Sequence, residues 1–133
     1  MIEDYFDGLV QELFINSAIS SFKVLRREIG KDDGYIRIKC KLKNNDILEF
    51  AEYIQTRKNK IHLETYSFHW QDTKGHLIKR WDNVSHHKEL DTFPHHIHLL
   101  TGGAISSTPM TLKSVLREIE KVLPIIHERE QEN

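Results

Sequence analysis

GYIRIKCKLKNNDILEFAEYIQ, residues 34–55, is the most regular run in the chain. Ile36, Ile38, Cys40 and Leu42 alternate with Tyr35, Arg37, Lys39 and Lys41, a period of two that predicts a strand with one apolar and one charged face. Asn44-Asn45 then reads as a tight turn, because Asn tolerates positive φ better than most residues. Ile47 to Gln55 returns as the antiparallel partner. Leu48, Phe50 and Ile54 share a face with Glu52 in this return strand. An acidic side chain in an apolar row meets a charged partner, borders a cleft, or sits where a strand end tilts into solvent.

The neighbouring segments extend the same pattern. Gly30-Lys31-Asp32-Asp33-Gly34 is a turn by composition, and Ala18 to Glu28 before it fits neither period cleanly. Its serines and β-branched residues favour a strand. Further upstream, Ile2, Tyr5, Phe6, Leu9, Val10, Leu13 and Phe14 form the stripe of an amphipathic helix. Downstream, the basic turn Thr56 to Lys60 leads into a strand from Ile61 to Trp70 with both faces loaded. Asp72-Thr73-Lys74-Gly75 closes another hairpin onto Leu77 to Asp82. Asn83 to His98 reads as a polar, histidine-rich connection, longer than a hairpin needs, and Leu99 to Pro109 as a second irregular segment. Thr111 caps a final helix carrying Leu112, Val115, Leu116, Ile119, Val122 and Leu123. Pro124 is expected to bend or end it, with residues 127–133 a frayed tail. The predicted class is α+β, a single domain over residues 1–133. About five strands form a meandering antiparallel sheet, with the N-terminal and C-terminal helices packed on one face.

Composition narrows the function classes. Nineteen Lys and Arg against twenty Asp and Glu give a net charge of -1, so there is no global basic field and a nucleic-acid site has to be local. The lone Cys40 excludes an intramolecular disulfide and a cysteine zinc knuckle, and reads as a small buried side chain. No apolar run approaches the roughly 20 residues that cross a bilayer, and the N-terminus lacks a signal peptide's basic start and apolar centre. The expected location is the cytoplasm, away from membranes.

Residues 66–98 hold seven of the nine histidines and both tryptophans. Metal-free RNA cleavage needs one group to take a proton from the 2′-hydroxyl, another to protonate the leaving oxygen, and a cation for charge building on phosphorus. His69, His95 and His98 are the proton-transfer candidates. Arg80 suits the phosphate because its planar fork donates to two oxygens at once, and Asp82 can orient a histidine. Arg80 and Asp82 point the same way along their strand, though the same spacing also suits a surface salt bridge. Tyr66, Trp81, Asn83 and His86 are the candidate substrate-binding residues. Trp70, Trp81, Tyr66 and Phe93 can stack on unpaired bases or, as strand aromatics usually do, fill the core.

No cofactor is expected on this reading. The alternative is a zinc or manganese site built by His95, His96 and His98 with a carboxylate from Asp82, Glu89 or Asp91. His86-His87 adds to the cluster without a defining metal spacing. A third reading is a non-catalytic module whose histidine loop grips a nucleic acid or a protein. The apolar helix stripe serves a homodimer as readily as a core.

The ordered series Tyr66-x-x-His69-Trp70, Gly75, Arg80-Trp81-Asp82-Asn83, His86-His87 and Phe93-Pro94-His95-His96-x-His98 resembles the small TumE-type toxins of bacterial and archaeal toxin-antitoxin pairs. The resemblance is dense from Gly34 to His98 and loose after Gly102. It places Tyr66, His69, Arg80, Asp82, Asn83, His86, His95 and His98 at the family's polar motif positions, and Glu52 at an acidic position in its hairpin. It implies a growth-inhibiting toxin neutralised by a small antitoxin, DNA-binding and encoded beside it. RNA cleavage follows by analogy with many toxins of such pairs, with single-stranded RNA as substrate.

Overall fold

A computed structural model of the chain describes residues 1–83, 95–99, 104–106 and 109–131. The first helix, α1, spans Ile2–Ile15 and buries Ile2, Phe6 and Leu13, with Glu3 and Asp4 in the first turn, where the helix dipole favours acids. Asn16 stops it. Its side-chain oxygen accepts from the Ala18 amide at 2.9 Å and its nitrogen donates to Glu120 at 2.7 Å.

Seven strands follow: β1 (Ile19–Ile29), β2 (Asp33–Leu42), β3 (Ile47–Arg57), β4 (Lys60–Gln71), β5 (Leu77–Asp82), β6 (His96–Leu99) and β7 (Ala104–Ser106). They pair in sequence order, each antiparallel to the next, so the sheet is the expected meander. It is two strands longer than about five. The end of the polar connection and part of the segment after it, read from sequence as irregular, supply β6 and β7. The last helix, α2, runs Leu112–Gln131, so neither Pro124 nor the tail from His127 ends it where expected. A proline removes one backbone donor and need not stop a helix whose preceding turns are anchored. Leu112, Val115, Leu116, Ile119 and Leu123 provide that anchor, buried in the same core as α1.

The register states which side chains share each face. Ile38, Phe50, Phe68, Trp81 and Ile97 lie directly opposite one another across β2 to β6, and Cys40, Leu48 and Trp70 form the next row. These residues lie under both helices. Gly34 passes so close to α1 that an added Cβ would stand 2.8 Å from Ile2 and 3.0 Å from Phe6. Burial pushes the Cys40 thiol up to about 12, so it is packing rather than a nucleophile.

Glu52 lies on this covered side at 1% exposure, its carboxylate accepting from the Tyr5 hydroxyl of α1. Burial raises its pKa above the ordinary 4.5, and the Tyr5 bond opposes the shift only in part. A carboxyl with a raised folded-state pKa holds its proton longer when folded than when unfolded. Stability is therefore greatest in acid and falls as pH rises from 4.5 through the raised value. Glu52→Gln keeps an acceptor for Tyr5 and cannot ionise. We expect its melting temperature to exceed the wild type's at pH 8, with the gap closing by pH 5. A constant gap across that range would mean that Glu52 is not the titrating group.

Candidate functional site

The sheet face opposite the helices carries a row of polar residues from β3 to β6. Across β3 to β6, Glu49, His69, Arg80 and His98 stand directly opposite one another. One residue-pair along, Ala51 faces Ser67 and Ser67 faces Asp82. Three of the residues predicted from sequence, His69, Arg80 and His98, therefore occupy one cross-strand row, with Asp82 beside it.

Asp82 is the centre of this arrangement. It is fully buried, yet its Oδ2 lies 3.1 Å from Arg80 Nε and 3.2 Å from His98 Nε2. A buried carboxylate is tolerated when cations and donors surround it, and here β5 and β6 supply them. Both contacts are ion-pair approaches without hydrogen-bond geometry at Oδ2; a His98 that turned its Nε2–H onto the carboxylate would carry its basic lone pair on Nδ1. The Arg80 side chain remains 39% exposed. Its Nε stands at ion-pair distance from Asp82 without a hydrogen bond, and its two terminal amino groups keep donors for an anion. Ser67, His69 and Arg80 border an open cleft of about 310 Å³ on this face.

His95 is not in that row. Its ring stacks on Tyr66, centroids 5.8 Å apart at 15°, and its Nδ1 lies 2.8 Å from the Tyr66 hydroxyl. That hydroxyl also accepts from the Met110 amide at 3.3 Å, tying the sheet to the start of α2. Burial raises the Tyr66 phenol pKa; the Met110 bond opposes this and the Asp82 charge adds to it. Tyr66 and His95 thus stack and bond to each other beside the start of α2, away from the row of His69, Arg80 and His98.

Two further candidates, Trp81 and Asn83, are engaged within the fold. Trp81 is 1% exposed in the core between Phe68 and Ile97, so it cannot stack on a base while the sheet is closed. Asn83 spends its amide on β4, accepting from the Tyr66 backbone at 2.8 Å and donating to the Glu64 carbonyl at 2.9 Å. It extends the β4–β5 ladder by one side chain. Tyr66, Phe68 and Trp70 line the same core. His86, His87, Glu89, Asp91, Phe93 and Pro94 lie outside the described residues, as does the side chain of His96. Among the described residues, no group of three His, Cys, Asp or Glu is placed to hold a metal ion. His95 and His98, two members of the alternative metal set, are directed to different partners, Tyr66 and Asp82.

Fold and site together define a small α+β protein whose helix-backed antiparallel sheet exposes a face of histidine, arginine and carboxylate. No described helix is long and apolar enough to cross a membrane. The family model described as Toxin TumE matches residues 7–129, nearly the whole chain, and the chain belongs to that family. It is thus a toxin of the toxin-antitoxin kind, with an antitoxin as partner. Comparison with curated proteins and with solved structures gives no match.

Proposed function

We propose that this toxin is an endoribonuclease that cleaves single-stranded RNA by histidine acid-base chemistry without a metal. The observation that carries the reading is the row of His69, Arg80 and His98 on three adjacent strands, with Asp82 against both Arg80 and His98. Two strand spacings of roughly 4.8 Å separate the histidine backbones by on the order of 10 Å, room for one phosphate hydrogen-bonded from both sides.

His98 Nδ1 takes the proton of the 2′-hydroxyl, whose oxygen attacks phosphorus. Arg80 donates to the non-bridging oxygens as negative charge builds on them, a task its fixed fork suits better than a lysine would. His69 gives its proton to the departing 5′-oxygen. The O2′–P bond forms, the P–O5′ bond breaks, and the products are a 2′,3′-cyclic phosphate and a 5′-hydroxyl. Imidazole serves both transfers because its ordinary pKa lies near cellular pH. Such a target places the toxin in the cytoplasm, and the antitoxin that restrains it is a small DNA-binding protein.

Asp82→Asn tests the arrangement. The amide can present its nitrogen to His98 and favour the wrong tautomer, so cleavage of a single-stranded RNA is expected to fall at least about 10²-fold with the far-ultraviolet spectrum unchanged. A folded Asp82→Asn protein that cleaves at the wild-type rate would remove Asp82 from the mechanism.

A further inference from the structure

The cross-strand row does not stop at the candidate catalytic residues. Beyond His69 and Glu49 it continues through Lys39 on β2 to Lys23 on β1, each directly opposite the next. Lys41 stands on the same face two residues along β2, opposite Ser21. The cleft beside His69 and Arg80 extends to Arg37 and Lys39, so the two regions form one surface.

The charge pattern of this surface is unusual for a sheet. Lys23 faces Lys39 and Arg26 faces Arg37, and like charges directly opposite destabilise strand pairing. Two of the four cations are neutralised within the face: Arg37 by Glu49 at 2.7 Å and Arg26 by Glu28 at 2.8 Å. Lys23, Lys39 and Lys41 are exposed and, among the described residues, form no ion pair. The chain as a whole carries a charge of only -1, so this cationic edge is local. Anionic groups bound across it would relieve the repulsion that the fold otherwise retains.

We propose that Lys23, Lys39 and Lys41 bind the phosphates flanking the scissile one, so that a single-stranded RNA lies across the strands from His98 on β6 towards β1. This inference rests on the endoribonuclease reading and specifies its substrate as an oligonucleotide. From β5 to β1 the face spans four strand spacings of roughly 4.8 Å, on the order of 19 Å, which engages several phosphates. The lysines meet the RNA backbone and not its bases, so they add affinity without sequence preference.

The test compares wild type with a Lys23→Glu/Lys39→Glu/Lys41→Glu variant on a labelled 12-nucleotide RNA and on the dinucleotide UpA, over a range of salt concentrations. For the 12-mer, KM is expected to rise more than tenfold. The slope of log affinity against log salt should shrink by roughly 2, at about 0.7 for each phosphate that the protein no longer neutralises. Cleavage of UpA by a Lys23→Glu/Lys41→Glu form, which keeps the Lys39 that borders the cleft, should be unchanged, because the dinucleotide is too short to reach those two lysines. A parallel triple Gln variant, which removes charge without reversing it, should show the same direction with a smaller rise in KM and guards against misfolding of the charge reversal. Unchanged KM and salt slope in a folded variant, with wild-type cleavage intact, would overturn the role of the lysines and leave the ribonuclease reading standing. Folded wild-type protein that neither binds nor cleaves either RNA would overturn both.

Discussion

Replacing His98 with alanine is expected to reduce RNA cleavage by about 10²- to 10⁴-fold, the usual worth of a positioned general base. The imidazole lies 3.2 Å from the buried Asp82 carboxylate, so the alanine also removes a partner from a buried charge. His98→Gln separates these effects. Its amide can donate to Asp82, which has Arg80 at 3.1 Å as well, but it cannot accept a proton from a 2′-hydroxyl. Both variants should lose cleavage and toxicity, the glutamine form with little change in stability. A His98→Gln protein that cleaved RNA at the wild-type rate would show that His98 holds Asp82 in place and does no proton transfer.

Trp81→Ala should act through folding instead. Trp81 is opposite Phe68 and Ile97 in the register and 1% exposed, with the Lys79 ammonium 5.1 Å above its ring. Removing a buried tryptophan costs about 3–5 kcal/mol. In a chain of this size that lowers the melting temperature by on the order of 10 °C or more. A base-stacking residue would behave oppositely, with RNA affinity falling and the melting temperature holding. Thermal unfolding followed beside RNA binding distinguishes the two roles.

The sequence was clearest where the strands are unbroken. β2 and the facing part of β3 pair without interruption from Asp33 to Lys41, so the alternation of Ile36, Ile38, Cys40 and Leu42 survives intact. β1 resisted a period because its register shifts twice, between Ile19 and Ser21 and between Val24 and Arg26. Each bulge adds one residue and reverses the parity of all that follow. The same device explains the doubly loaded β4. Tyr53 pairs with Thr65 but Ile54 pairs with Leu63, so Ile61 and Leu63 join Tyr66, Phe68 and Trp70 on the covered face despite their odd numbers. β6 and β7 are four and three residues long, too short for alternation to be distinguished from chance.

The site was legible in the same proportion. Arg80 and Asp82 are two residues apart on one strand, and their shared face follows from that spacing alone. The same spacing carried a further signal: Trp81, lying between them, has to face the helices. His69 and His98 join Arg80 only through inter-strand register, which depends on an irregularity between Trp70 and Gln71 that the turn sequence does not reveal. The cationic edge was present as Arg37, Lys39 and Lys41 on the polar face of the strand from Tyr35 to Leu42. Its relation to the histidines emerges once β2, β3 and β4 are aligned.

The chemistry itself is tested most directly by incubating the purified toxin with single-stranded RNA in excess EDTA and identifying the new ends. Histidine acid-base cleavage predicts undiminished activity in the chelator, with every new 3′ end a 2′,3′-cyclic phosphate and every new 5′ end a hydroxyl. Cleavage that stops in EDTA and returns with zinc or manganese, or that leaves 5′-phosphates, would contradict it.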